Sequence, residues 1–222
     1  MIDRSVAREL ARQSIDRGDT MGWFEELYMM AEFHPEIVPW ADRRPNPNLV
    51  KWAQTQDFAG MGRSALVVGC GYGDDAEWLS SKGFDVVAFD VSRTAIGAAR
   101  SRFPESKVNY LVADVLNLPD EWRGGFDFVF EAYTLQVLQG ESRAAAARMI
   151  ASAVKGTLLI VARGRRVDED PGKMPWPLTL QDFISFEQEH PELVRVSFEN
   201  YMDDEDPPVR RFRAVYRRQT AT

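Results

Sequence analysis

From Ser64 to Tyr216 the chain alternates between two hydrophobic rhythms. Short apolar runs at Ala65–Gly69, Asp85–Asp90, Val108–Val112, Phe126–Glu131 and Thr157–Ala162 read as strands. Between them, Asp74–Lys82, Arg93–Arg102 and Glu141–Val154 have helical spacing, while the link between the third and fourth strands is less clear. Strands that alternate with helices predict a parallel sheet covered on both faces. The ending changes rhythm. A helix at Leu178–Glu189 leads into strand-like runs Leu193–Tyr201 and Val209–Tyr216. The residues joining those two runs, Asp203–Pro208, are too few for a crossover helix, so the runs pair antiparallel. Before Ser64, helices are predicted at about 3–17, with Ile2, Val6, Leu10 and Ile15 as apolar positions, at Trp23–Phe33 and at Asn48–Gln56. Pro35, Pro39, Pro45 and Pro47 break the stretch between the second and third of these.

The sum is an α/β fold: a Rossmann-like, seven-stranded, mostly parallel sheet with a C-terminal antiparallel hairpin and helices on both faces. At 222 residues the expectation is a single domain, with 1–60 as a helical cap and 61–222 as the core. A monomer or homodimer would suit it. No apolar run reaches the ~18–20 residues that span a membrane, and the N-terminus lacks a signal-peptide core, so a cytoplasmic protein is expected. A net charge of -7 argues against nucleic acid, because Asp168–Asp170 and Asp203–Asp206 sit beside the arginine clusters. One cysteine, Cys70, rules out an internal disulfide and a cysteine-rich metal site.

The most informative segment is Ala65-Leu-Val-Val-Gly-Cys-Gly-Tyr-Gly-Asp-Asp75. Glycines after a strand let the backbone turn sharply and let a ligand come close, and the next helix offers free N–H groups. The spacing is G-x-G-x-G rather than the G-x-G-x-x-G of dinucleotide sites, because position 74 is Asp74. Asp74 and Asp75 would repel a pyrophosphate but suit an ammonium or a sulfonium; they also suit plain helix capping. Asp90, ending the second strand, can accept from both hydroxyls of a ribose. Asp114, ending the third, can accept from an adenine amino group. Together they point to adenosine.

This architecture resembles the class I S-adenosylmethionine-dependent methyltransferases. Within them, Ala65–Ala76, Trp23-Phe-Glu-Glu-Leu-Tyr28, Pro39-Trp40-x-x-x-x-Pro45 and Pro175-Trp-Pro-Leu-Thr179 are similar to the thiopurine, halide and thiol methyltransferase group. The likeness spans roughly residues 20 to 217. It implies S-adenosylmethionine as cofactor, S-adenosylhomocysteine as product and no metal. It also implies a cofactor site of Trp40, Gly69, Cys70, Gly71, Gly73, Asp90, Val91, Asp114, Val115 and Glu131. Two departures stand out: Val68 replaces the proline usual before the loop, and Val67 replaces the acid that contacts the methionine amine in many relatives.

The acceptor side falls at Glu131, Tyr133, Arg163, Trp40 and Trp176. Glu131 and Tyr133, at the end of the fourth strand, are the candidate catalytic residues. Glu131 could take a proton, orient substrate, contact the methionine amine, or pair with Arg163 or Arg143. Arg163 could grip an anionic substrate or belong to the solvated Arg163–Arg166 cluster. Trp40 and Trp176, each between prolines, are expected to line the pocket. Met29–Met30 and Phe183–Phe186 read as helix packing, and His34 and His190 as surface turn residues. A thiol of pKa near ~8.5 is a few per cent thiolate at neutral pH and needs little help, whereas an alcohol needs a strong base. No His–Asp pair stands at the strand ends, which favours a small-molecule thiol or similar acceptor. Methylation of oxygen or nitrogen on an aromatic metabolite, and a non-catalytic cofactor sensor, remain open. An NAD-dependent reductase is opposed by the loop spacing.

Overall fold

Alternating side chains on the buried strands pack two cores, one on each face of a seven-stranded sheet, in this computed structural model, which describes residues 4–219. On β1 (Ser64–Val68), Leu66 and Val68 face one core and Ala65 and Val67 the other. The remaining strands are β2 (Asp85–Asp90), β3 (Asn109–Val112), β4 (Phe126–Ala132), β5 (Val154–Arg163), β6 (Leu193–Met202) and β7 (Arg210–Arg218). Their order is β3-β2-β1-β4-β5-β7-β6, with β7 antiparallel to both of its neighbours and all other pairs parallel. The predicted strand set is therefore found. β5 and β7 extend a few residues beyond their predicted ends.

Helices α1 (Ser5–Asp16), α2 (Gly22–Ala31), α6 (Gly140–Ala153) and α7 (Leu180–Glu189) cover the first core. Helices α3 (Pro47–Gln54), α4 (Asp74–Ser81) and α5 (Arg93–Arg102) cover the second. The ends are chemically set. Asn46 caps α3 with Pro47 at its first position; Ser92 caps α5; Thr179 and Asp182 form a reciprocal capping box on α7. The unclear link between β3 and β4 holds only a short 3-10 turn at Asp120–Trp122.

Several expectations about packing change. Helix α1 buries Ala7, Ala11 and Ser14, so the stripe is centred between the larger apolar residues; Val6 and Leu10 flank it and Ile15 is exposed. Ile2 lies outside the described residues. Phe183 and Phe186 are in the core, but Met29 and Met30 point outward. His34 is exposed, whereas His190 is buried at the end of α7, where its backbone amide donates to Phe186 O at 2.9 Å. No described helix is long and apolar enough to cross a membrane.

Candidate functional site

A cavity of about 500 Å³ opens over the carboxyl ends of β1, β2, β4 and β5, where parallel sheets collect ligands. Its floor begins with the glycine turn. Gly69 and Gly71 adopt φ of +60° and +51°, and a Cβ at Gly71 would lie 2.9 Å from the Tyr28 hydroxyl. Cys70 N–H donates to Phe89 O at 2.8 Å, tying the turn to β2. Gly71 N–H donates to Asp90 Oδ2 at 2.9 Å, and Ser92 N–H donates to Asp90 Oδ1 at 2.9 Å. Asp90 thus holds the glycine turn and the start of α5 together. Burial still pushes its carboxyl up to about 6, against the pull of those amides.

The two acids after the glycines part company. Asp74 forms a bidentate pair with Arg102 at 2.8 and 2.9 Å and is spent on structure. Asp75 accepts only the Asn46 N–H, at 2.6 Å, and has no cation partner among the described residues. Burial pushes it up to about 7. Both stand on the cavity wall, but only Asp75 is left without a cation among the described residues. Val91 and Val115 are on the wall too, with Ala113 beside Val115.

Three expected cofactor residues are displaced. Gly73 is off the wall: its φ of +89° starts α4, and a Cβ there would meet the Tyr110 hydroxyl at 2.4 Å. Asp114 is also off it, and its Oδ1 accepts Leu116 N–H at 2.8 Å in a local turn. Glu131 is fully buried on the inner face of β4, below the wall. Its Oε1 accepts the amides of Thr134 (2.7 Å) and Leu135 (3.0 Å), while Oε2 has no hydrogen-bond partner. Desolvation pushes this carboxyl up to about 7. The salt bridges to Arg163 or Arg143 do not form; Arg143 instead pairs with Asp182 at 3.0 Å. Glu131 therefore braces the turn that carries Tyr133 and touches nothing in the cavity.

Tyr133 itself is on the wall, with a strained φ of +68°. Its hydroxyl accepts from Asn48 Nδ2 at 3.2 Å, and Asn48 Oδ1 accepts in turn from the Tyr201 hydroxyl. The Arg211 guanidinium lies 5.2 Å from the Tyr133 ring centre. Burial raises the Tyr133 pKa further, although that cation opposes it, so the phenol keeps its proton at neutral pH. Trp40 closes another part of the wall. Its Nε1 donates to Tyr28 Oη at 2.9 Å, and Trp23 and Phe24 pack edge-on against it at 6.1 and 6.0 Å.

Arg163 ends β5 and reaches the cavity; its own N–H donates to Gln136 Oε1 at 2.8 Å. Trp176 does not. Its N–H donates to Gln136 O at 2.7 Å, and the indole lines a separate shallow hollow with Arg143 and Arg165. Sequence reasoning also missed wall residues. Tyr28 had a signal, as an aromatic at helical spacing from Phe24. Arg4 and Arg211 are charges at element ends and Arg8 lies within α1, with no pattern to mark them as wall residues.

A family model described as "Methyltransferase domain" matches residues 65–156. Thiocyanate methyltransferase 1 of Arabidopsis thaliana is 27% identical over 174 residues, covering 78% of this chain and 73% of that one. A probable S-adenosylmethionine-dependent methyltransferase of Mycobacterium tuberculosis is 30% identical over 112 residues, covering 50% of this chain and 39% of its own length. Among solved structures, the N-methyltransferase NodS from Bradyrhizobium japonicum in complex with S-adenosyl-L-homocysteine superposes with a TM-score of 0.62 at 20% identity, covering 82% of this chain and 92% of that one. That last likeness concerns the fold.

Proposed function

We infer that this chain, a class I S-adenosylmethionine-dependent methyltransferase by its fold, glycine turn and matching family, methylates a small-molecule acceptor through a thiol or similarly soft nucleophile. When bound, S-adenosylmethionine supplies a methyl carbon on a sulfonium, which an acceptor lone pair takes in line as the old carbon–sulfur pair returns to sulfur. The residues fit that group. Asp90 would accept from the ribose hydroxyls, and Asp75, without a cation partner among the described residues, would take the methionine ammonium in place of the acid absent at Val67. Ala113, Val91 and Val115 offer an apolar slot for the base.

One observation carries the choice of acceptor: among the described residues, none beside Tyr133 on its side of the cavity is a free base. Tyr133 stays protonated, Glu131 is off the wall, and Asp203 and Glu205 are engaged by Arg211. An acceptor must arrive already nucleophilic, which suits a thiolate and not an alcohol. The likeness to a thiocyanate methyltransferase supports the same direction. Acceleration then rests on positioning and exclusion of water by Trp40 and Tyr133. A screen of thiols, phenols, amines and halides, scored by S-adenosylhomocysteine release, tests this; faster turnover of phenols or amines would overturn the soft acceptor.

A further inference from the structure

The cations around the acceptor end of the cavity are unequally matched. Arg211 is saturated by Asp203, at 2.6 Å, and by Glu205. Arg8 Nε donates to Met174 O at 2.9 Å, and Lys51 pairs with Asp204 at 2.8 Å. Arg163 and Arg4 differ. Both reach the same wall, yet neither guanidinium has a hydrogen bond or ion pair among the described residues. Arg163 also lies directly across the β5–β7 register from Arg211, so the nearby acids are already engaged by a closer cation. Burial lowers the pKa of both arginines, and the neighbouring guanidiniums push the same way against Glu205. Holding two partly desolvated cations with no direct ion pair carries a cost, and arginine is a poor proton donor to water. The cost is removed when a ligand supplies the anion.

We propose that Arg4 and Arg163 form a receptor for a carboxylate on the methyl acceptor, distinct from the atom that is methylated. This rests on the methyl-transfer reading of the same cavity and names the acceptor's class. Two guanidiniums match the two oxygens of a carboxylate, each by paired N–H donors. An anion gripped this way has its lone pairs occupied and is a poor nucleophile, so the gripped group is a handle and the reacting sulfur lies elsewhere on the molecule. The handle also orients the acceptor: Asp75 and Asp90 on the floor repel it, which leaves the nucleophile turned toward Tyr133 and the glycine turn. Both arginines lie outside the matched family domain at residues 65–156, so the receptor belongs to this chain's own cap and strand end.

Calorimetry on the protein saturated with S-adenosylhomocysteine tests the receptor, with benzoate and benzyl alcohol as probes. Benzoate is expected to bind at least tenfold tighter than the alcohol. Arg163→Gln and Arg4→Gln are each expected to weaken benzoate at least tenfold, with Arg163→Lys in between. In turnover, kcat/KM for 4-mercaptobenzoate is expected to exceed that for thiophenol at least tenfold, and Arg163→Gln to collapse that ratio. Equal binding of benzoate and benzyl alcohol, or benzoate affinity within twofold of wild type in both glutamine variants, overturns the receptor. So does thiocyanate turning over faster than mercaptobenzoate with dependence on Arg163, because the anion would then be the nucleophile. S-adenosylhomocysteine affinity is measured on every protein. Its absence in the wild type strikes the methyl-transfer reading, while its presence without anion selectivity strikes this receptor alone.

Discussion

The floor of the cavity comes from the glycine turn and the strand ends beside it, its roof from α1, the ends of β4 and β5 and the 203–211 segment, and the charges follow that division. The floor is the glycine turn with Asp75, Asp90 and the ends of β1 to β3, and its free charges are negative. The roof is Arg4 and Arg8 from the cap, Tyr133 and Arg163 from strand ends, and the 203–211 segment; its free charges are positive. Floor residues are fixed by backbone amides. Some roof residues are held instead by contacts from distant segments, such as the Asn48 side chain on Tyr133 and the Met174 backbone carbonyl on Arg8. A site divided this way can hold one ligand by a frame set locally and select the other by contacts that vary independently.

The sharpest way to break this contrast is at Asp90. Asp90→Ala removes the acceptor of two amides as well as the ribose contact, and S-adenosylhomocysteine affinity is expected to fall roughly 100-fold. Wild-type affinity by calorimetry would end that assignment. Next comes Glu131, whose carboxylate makes its only hydrogen bonds among the described residues to the turn beneath the roof. Glu131→Ala strands two amides and is expected to cost about 2–3 kcal/mol in urea unfolding. Glu131→Gln keeps its acceptor and is expected to be close to wild type in stability. Loss of turnover in Glu131→Gln with cofactor affinity intact would make this side chain part of the chemistry.

pH separates the two halves more gently. Asp75, Asp90 and Glu131 have folded values of about 7, about 6 and about 7, above their ordinary 3.8, 3.8 and 4.5. The folded state therefore binds protons more tightly than the unfolded one through this range. Their contribution to stability is fully present below about pH 4 and is lost as pH rises through about 6 to 7. The ligand's α-ammonium wants an ionised carboxylate beside it, so S-adenosylhomocysteine binding is expected to strengthen by several-fold over that rise. Asp75→Asn is expected to flatten the binding curve while raising the stability of the ligand-free protein at pH 8. An unchanged curve would remove the ammonium assignment. The smallest effect is expected at Trp176: Trp176→Leu should leave kcat and KM within about twofold, because the indole faces away from the cavity. A large change in KM would return the 175–179 loop to the substrate side.

Strand rhythm alone locates the sheet, its hairpin and the rim where ligands collect, because period-two burial is a local property of the chain. It does not say which way a rim side chain turns. Glu131 follows Val129 inward, whereas the next-but-one residue, Tyr133, escapes into the cavity through a left-handed backbone. Asp74 and Asp75 look equivalent in sequence, but neighbouring helical positions point about 100° apart, and Arg102 claims only the first. Asp114 ends the right strand yet spends an oxygen on its own turn. Trp176 lines a separate hollow, its backbone N–H bonded to Gln136 O, forty residues earlier in the chain. Arg163 is marked in sequence by its place at the end of the fifth strand, but Arg4 is not, since a lone charge at an element end has no period.

The reversal of β7 has a further consequence. By running against β5, it brings the bend at 203–209 to the same rim as the parallel strand ends. That bend is closed on itself: Asp203 accepts the amides of Glu205 and Val209 at 3.1 and 2.8 Å and grips Arg211. The outermost hairpin can therefore be shortened, lengthened or recharged without touching the strands that carry the glycine turn. In evolutionary terms, the antiparallel ending works as an adjustable jaw: new acceptors can be tried at one edge of the sheet while the other end goes on binding the same cofactor.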